Sequence, residues 1–568
     1  MLYPSMTWAT TLLLLFGLWA LSSLYSLVRN YLVARKTGLP IIVCPINNYN
    51  PLWMASGIPL NPLYKSILPR RFYEPINCAS YGFEWREKSG IFKKYGPSFV
   101  LVTTSAVELN TIDPGLVTEV LRRPKDFPNT EIGDVIMGVF GPNLLTTNGE
   151  RWSRQRKLIA PNINEKISSL VFGESRRQAS EMVASYMDEA QGVTNDTVRG
   201  LKALAINVLG TAGFGIRRPW KDKVTRQPRG RHFTYMEATK IVVENIVGAV
   251  FPTRLLTLPI LPSSWQDLGH AKTEFPPLTK EMLENERKVQ ESATEPRSNL
   301  MSMLVRLSDT NDSNKSTQYL TEDEMLGNLF VFTAAGFDTT ANTMAYALAL
   351  LATYPKYQDW LYEEIKAVIG DKGPKPTESL DYADIFPRLP RCLALMVETM
   401  RLFPPLVHIA KQVNKTQDVS VTTSLRSYFL PRKVTIYLSS VALHRNPEIY
   451  GDDADTFRPE RWIMEPSVPP GSPTSTIATN IRTMPRGTFV PWSAGPRICP
   501  GMKMAQVEFV SVFMTICEKY RFAPVRLRED EADDQVKARL EATMEDSSPR
   551  LTLQMNRFED LKIKWTRR

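Results

Sequence analysis

From Met6 to Val28 the chain reads MTWATTLLLLFGLWALSSLYSLV, without one charged residue. As a helix rising 1.5 Å per residue, this stretch reaches roughly 30 Å or slightly more, the depth of a bilayer's hydrocarbon core. Arg29, Arg35 and Lys36 follow the span and no basic residue precedes it, which predicts that the remainder lies on the cytoplasmic side. Trp8, Trp19 and Tyr25 suit the two interfaces. A cleaved signal peptide is disfavoured, because a basic leading region is missing and the apolar run is too long. Whatever else the chain folds into therefore starts beside a lipid surface.

The following stretch, TGLPIIVCPINNYNPLWM, is rich in Pro and Asn and reads as an entry segment. The expected organisation is an anchor over 1–30, a linker over 31–70 and one catalytic body over 71–568. The body is expected to be mainly α with a minor β part. Apolar residues recur at helical spacing over Ile163 to Ala190, Met325 to Tyr354, Gln358 to Ile369, Leu389 to Leu402 and Met502 to Tyr520. Strand-like runs such as SFVLVTT and KVTIYLSSVAL are short. Glu291 to Thr321 and Arg528 to Arg550 are polar or charged and read as surface loops.

The five cysteines are scattered, with no CxxC pair, which argues against a disulfide scaffold or a structural zinc site. The net charge of +10 comes from 69 basic and 59 acidic side chains. Without a basic cluster interleaved with aromatics, this balance points away from nucleic acid and towards an anionic membrane surface or an acidic partner. The sequons at Asn195, Asn311, Asn314 and Asn414 would face the cytoplasm and stay unmodified.

The chemistry concentrates in FVPWSAGPRICPG, which places Cys499 just ahead of the Met502 to Tyr520 helix. A cysteine at a helix mouth meets unpaired N–H groups and the positive end of the dipole, which favour thiolate. Gly495 and Gly501 let the backbone turn and approach something flat or bulky. Arg497 can hold an anionic group beside the sulfur. A thiolate with a flat anionic partner suggests haem iron. Elsewhere, AAGFDTTANT sets Ala335 and Gly336 in a long apolar helix, next to an acid and a hydroxyl, Asp338 and Thr339, that need a reason to be there. In ETMR, Glu398 and Arg401 stand three residues apart on one helical face.

Taken together, WSAGPRICPG, AGFDTT, ETMR with TFRPERW, and the Trp152 and Arg156 of GERWSRQRKLIAP resemble the signatures of the cytochrome P450 family, in order and spacing, from about residue 70 onward. The resemblance implies the P450 fold and a haem b whose iron takes the Cys499 thiolate. It also implies that Arg497, Trp152 and Arg156 hold the haem propionates, that Gly495 and Gly501 permit the approach, and that Trp492, where the family usually has Phe, shields the sulfur. Lys411 stands where a further basic residue is usual, as lysine rather than arginine. Thr339 would hydrogen-bond dioxygen and Asp338 would help relay protons, while Glu398, Arg401 and Arg461 would lock together structurally. The anchor matches the microsomal branch, and ARKTGLP and PNINEK look like fungal members of specialised metabolism.

A P450 inserts one oxygen atom into a lipophilic substrate and needs two electrons. The sequence has no GxGxxG unit and no flavin module, so the implied donor is an NADPH-cytochrome P450 reductase, with cytochrome b5 as a further partner. The implied location is the endoplasmic reticulum membrane, with the catalytic body in the cytosol. Segments expected near the distal face are Glu131 to Leu145, the start of the 325–354 helix, and PPLVHIA, in which His408 is a candidate polar contact. An isomerase or dehydratase on the same fold would lack the Asp338–Thr339 pair. A non-catalytic haem carrier would need neither that pair nor a reductase.

Overall fold

The computed structural model describes residues 8–189, 191–221, 230–246, 248–292, 299–308, 319–370, 380–464 and 481–568. Their chain traces two compact units. One combines 1–130, 407–454 and 485–498; the other combines 131–406, 455–484 and 499–568.

The first unit opens with the helix Trp8–Arg35. From Thr10 to Arg35 it is long and apolar enough to cross a membrane, and its apolar side chains are exposed, as lipid-facing side chains must be. The last two turns behave differently. Asn30 and Ala34 are buried, and the Asn30 amide donates to the Thr103 carbonyl at 3.0 Å. The helix therefore runs straight into the sheet of its own unit.

That sheet has five strands in the spatial order Ile41–Val43, Ser98–Val102, Val107–Thr111, Thr435–Ser439 and His408–Gln412. Ser98–Val102 and Val107–Thr111 are buried at every position; SFVLV accordingly reads as a continuous run, whereas VELNT alternates and buries its polar Glu108 and Asn110 as well. The entry segment is also structured: Ile41–Val43 pairs parallel to Val100–Val102, and short helices follow at Pro51–Ser56 and Asn61–Ile67.

The second unit is mainly helical. Its centre is Glu322–Thr353, with Glu165–Glu189, Thr197–Phe214, Pro390–Leu402 and Met502–Lys519 among the helices of the same unit. These bounds match the periodicity to within a few residues, because each helix buries an apolar face. Thr197–Phe214 escaped the pattern: its burial extends almost all round, leaving little amphipathic contrast. Two expected loops are corrected. Arg528 to Arg550 contains the helix Asp533–Glu545, held by the buried Val536, Leu540 and Met544. Glu291 to Thr321 contains the helix Leu300–Ser308, whose first six residues are buried. The centre of that segment, with Asn311 and Asn314, lies outside the described residues.

Glu508, in the middle of Met502–Lys519, is 2% exposed and its Oε1 has no hydrogen-bond partner. Burial alone pushes its carboxyl up to about 8. The unfolded chain gives up this proton near 4.5, whereas the folded chain keeps it to about 8, so this group costs stability progressively as pH rises between those values. Glu508→Gln is expected to remove that slope. In paired urea titrations the variant gains on wild type by a few kcal/mol, in order of magnitude, from pH 5 to pH 8. A difference that does not change with pH would exclude a neutral buried carboxyl.

Candidate haem-binding active site

Cys499 stands just before the helix Met502–Lys519, whose N-cap is Gly501. Of the five cysteines, four are buried and Cys499 is exposed. Its sulfur is nevertheless surrounded by protein: desolvation is the largest influence and raises the thiol, while N–H groups of Gly501 and Met502 and the Arg156 charge pull it down. The helix mouth thus acts as the sequence suggested, but does not by itself outweigh desolvation. A metal ion bound at the sulfur would supply the missing stabilisation, since a coordinating thiol is deprotonated outright.

The two glycines differ. Gly495 has φ +66°, and a Cβ there would come within 2.5 Å of the Leu121 carbonyl, so the fold demands glycine. Gly501 has ordinary angles, and its only close neighbour would be the Cys499 Sγ at 3.9 Å. Glycine at 501 keeps open the space beside the sulfur and is not required by the turn. Trp492 is half-buried in the same loop.

The long helix adds a second sign of a cavity. Past its first two residues every position of Glu322–Thr353 is buried except Phe332, Ala335, Gly336 and Thr339. These fall at i, i+3, i+4 and i+7, a single stripe on one face. An accessible stripe inside a buried helix borders a void, and two of its four members are the small residues singled out in the sequence. Gly336 serves the opposite side as well: a Cβ there would press on Leu209 at 3.3 Å. The glycine thus admits the neighbouring helix Thr197–Phe214.

Thr339 and Asp338 are held separately. The Thr339 hydroxyl donates to the Ala335 carbonyl at 2.8 Å, the back-bond common for threonine in helices. Asp338 is buried, and both its oxygens are engaged. Oδ2 accepts from the Thr552 hydroxyl at 2.5 Å and Oδ1 from the Asn342 amide at 3.1 Å, and Asn342 also donates to Thr552. Thr552 lies in the turn between the paired strands Ser547–Pro549 and Leu553–Met555, more than two hundred residues away in sequence. Nothing local signals that contact.

Trp152 and Arg156 sit one turn apart on the helix Gly149–Ile159. Both are partly buried; desolvation lowers Arg156, and the nearby Cys499 raises it. In the other unit, Lys411 is buried and donates to the Asn129 Oδ1 at 2.6 Å. Burial first, then the Arg497 charge, pushes Lys411 down to about 7. Two cations gathered in a desolvated place fit an anionic group such as a carboxylate. Each unit by itself carries residues that suit a haem: in the second, a cysteine at a helix mouth, Arg156 near it and a small-residue stripe on the long helix; in the first, Lys411 and Arg497, which suit a propionate.

Glu398 and Arg401 are fully buried and paired through two contacts, Nε to Oε2 at 2.8 Å and Nη2 to Oε1 at 2.9 Å. Arg461 Nε reaches Oε1 at 3.1 Å, and the Trp462 indole donates to Oε2 at 2.8 Å. The three residues marked in the sequence come together, with Trp462 as a fourth that the motif did not announce. His408 pairs with the buried Glu84, Nδ1 to Oε1 at 2.5 Å, and packs on Tyr437. This places it in a polar cluster of the sheet, which accounts for the residue without a substrate.

The cytochrome P450 family model matches residues 86–544. A cytochrome P450 monooxygenase of the phomenoic acid biosynthesis cluster of Leptosphaeria maculans is 32% identical, covering 92% of this chain and 93% of its own. Cytochrome P450 monooxygenase ORF6 of Penicillium roqueforti is 28% identical, and prx9 of Penicillium rubens 27%, each over 91% of both chains. Family match, relatives and fold agree: the chain belongs to the cytochrome P450 family, as one of its monooxygenases.

Proposed function

We propose that the chain is a membrane-anchored monooxygenase of fungal secondary metabolism that hydroxylates or epoxidises a lipophilic small molecule. The observation that carries the reading is the accessible stripe Phe332, Ala335, Gly336 and Thr339, which sets a hydroxyl beside small and aromatic side chains on the open face of the long helix. The similarity to a phomenoic acid cluster enzyme supports the metabolic setting. When bound, the haem supplies the oxygen chemistry: two electrons and two protons send one oxygen atom of dioxygen to water and the other to the substrate.

The chain's own residues bind, orient and move protons. Cys499 would ligate the iron, Trp152 would donate to a propionate, Arg156, Arg497 and Lys411 would neutralise the propionates, and Trp492 and Gly501 shape the sulfur's surroundings. Asp338, next to Thr339 in sequence and held by Thr552 and Asn342, helps relay protons towards the Thr339 hydroxyl. The helix Trp8–Arg35 anchors the chain to a bilayer, which we place at the endoplasmic reticulum and from which a lipophilic substrate can be drawn. The electrons come from an NADPH-cytochrome P450 reductase, with cytochrome b5 as an additional donor.

Full-length protein reconstituted with a reductase and offered lipophilic polyketides and terpenoids tests this reading. Wild type is expected to show the reduced-CO band of thiolate-ligated haem and NADPH-dependent product. Thr339→Ala is expected to keep that band and its NADPH consumption but to divert the electrons to peroxide and water, lowering product per NADPH about tenfold or more. Unchanged coupling in the variant removes the hydroxyl from the proton path. A loaded wild type that consumes no NADPH with any reductase supports a haem carrier instead.

A further inference from the structure

Trp152 and Arg156 can hold propionates only if the helix Gly149–Ile159 is fixed along and about its axis. Its other face is tied to one side chain. Glu324, in the first turn of Glu322–Thr353, has a fully buried side chain, and its Oε1 accepts from Arg151 Nε at 2.8 Å, Arg154 Nη2 at 2.6 Å and Gln155 Nε2 at 3.3 Å. Residues 151, 154 and 155 form one helical face, and 152 and 156 flank it. Glu324 is itself held: its Oε2 accepts from the Thr321 N–H at 3.1 Å in a capping box.

The next turn repeats the tie. Asn328 donates to the Gln155 Oε1 at 2.8 Å and accepts from the Leu144 N–H at 3.0 Å. Beside it, a Cβ at Gly327 would come within 2.5 Å of the Gly141 carbonyl, so the backbones touch there. We propose that Glu324 is a positioning residue for haem retention, setting the register in which Trp152 and Arg156 meet the propionates. This rests on the assignment of Trp152 and Arg156 made above.

The physical case is one of charge and reach. Burial raises the Glu324 carboxyl, but the donors around it more than compensate and hold it below the usual carboxylate range, so it is ionised at neutral pH. Replacing it by a neutral group leaves the Arg151 and Arg154 guanidiniums facing each other without their shared anion, and the helix turn that carries Arg156 shifts to separate them. Groups that orient a prosthetic group's ligands from one layer back typically change affinity 10–100-fold.

The test is haem transfer from the full-length loaded enzyme, in detergent, to excess apomyoglobin. Arg156→Leu and Glu324→Gln are both expected to release haem about tenfold faster than wild type or more, with Glu324→Asp between wild type and Glu324→Gln. Both variants should also shift the propionate bending band in resonance Raman. Glu174→Gln breaks a different buried pair, with Arg177, and is expected to lower the melting temperature while haem release stays within twofold of wild type. Should Glu324→Gln fail to fold, Arg154→Met removes the shortest of the three contacts and is read the same way. Wild-type release from Arg156→Leu overturns the propionate assignment and the proposal with it. Fast release from Arg156→Leu, with wild-type release and an unshifted band from Glu324→Gln, overturns the role of Glu324 alone. Equal acceleration by Glu174→Gln reduces that role to general stability and overturns it too.

Discussion

Cys499→Ser is expected to abolish the reduced-CO band of thiolate-ligated haem and, with it, all NADPH-dependent product formation. The substitution changes almost nothing else. Serine has nearly the same volume, and its hydroxyl can still accept from the Gly501 and Met502 N–H groups that face the sulfur. Far-UV circular dichroism and melting of the haem-free chain should therefore match wild type. What is lost is the donor: a hydroxyl does not ionise at neutral pH and pushes little electron density on to iron, whereas a thiolate favours O–O cleavage. No other cysteine can take over. Cys44, Cys78, Cys392 and Cys517 are packed in the interior, and burial raises each of their thiols. A thiolate-type band in the serine variant would remove Cys499 from the iron; normal folding without any haem would show that the thiolate is also the main source of retention.

Legibility in the sequence followed the range of the interactions. Helices with one apolar face, such as Pro390–Leu402, could be bounded closely because periodicity is a local signal, and Glu322–Thr353 was placed to within three residues by the same signal. The cysteine loop was legible because its glycine, arginine and cysteine sit within a few residues. Asp533–Glu545 was missed because charge dominates its composition and only a few buried apolar residues hold it. The partners of the site were illegible for another reason: Thr552 on Asp338, Glu84 on His408 and Glu324 on Arg154 each join segments more than a hundred residues apart. Periodicity is blind to that distance. His408 shows the consequence: the sequence offered it as a candidate polar contact while a structural role was the commoner one for a lone histidine, and its pairing with the buried Glu84 elsewhere in the chain supports the structural role.

The largest effect on stability is expected at Glu398, with no change to any group that touches haem or substrate. Glu398 and Arg401 have fully buried side chains, and the carboxylate also receives Arg461, Trp462 and the Arg458 N–H. Exchanging the whole network for apolar side chains can be neutral, but removing one member strands the others. Glu398→Ala takes the carboxylate from the fully buried Arg401 guanidinium, which still donates to the Thr456 carbonyl at 3.0 Å, at an expected cost of about 3–5 kcal/mol in urea unfolding. Glu398→Gln keeps the shape and part of the hydrogen bonding and should fall between. Glu559→Ala, which removes a surface partner of Arg199, should cost less than about 1 kcal/mol. The network ties the helix Pro390–Leu402 to the segment Thr456–Trp462, so a loss confined to stability, with normal spectra in whatever folds, assigns it the framework role. Equal costs for Glu398→Ala and Glu559→Ala would mean that the buried pair contributes no more than a solvent-exposed one.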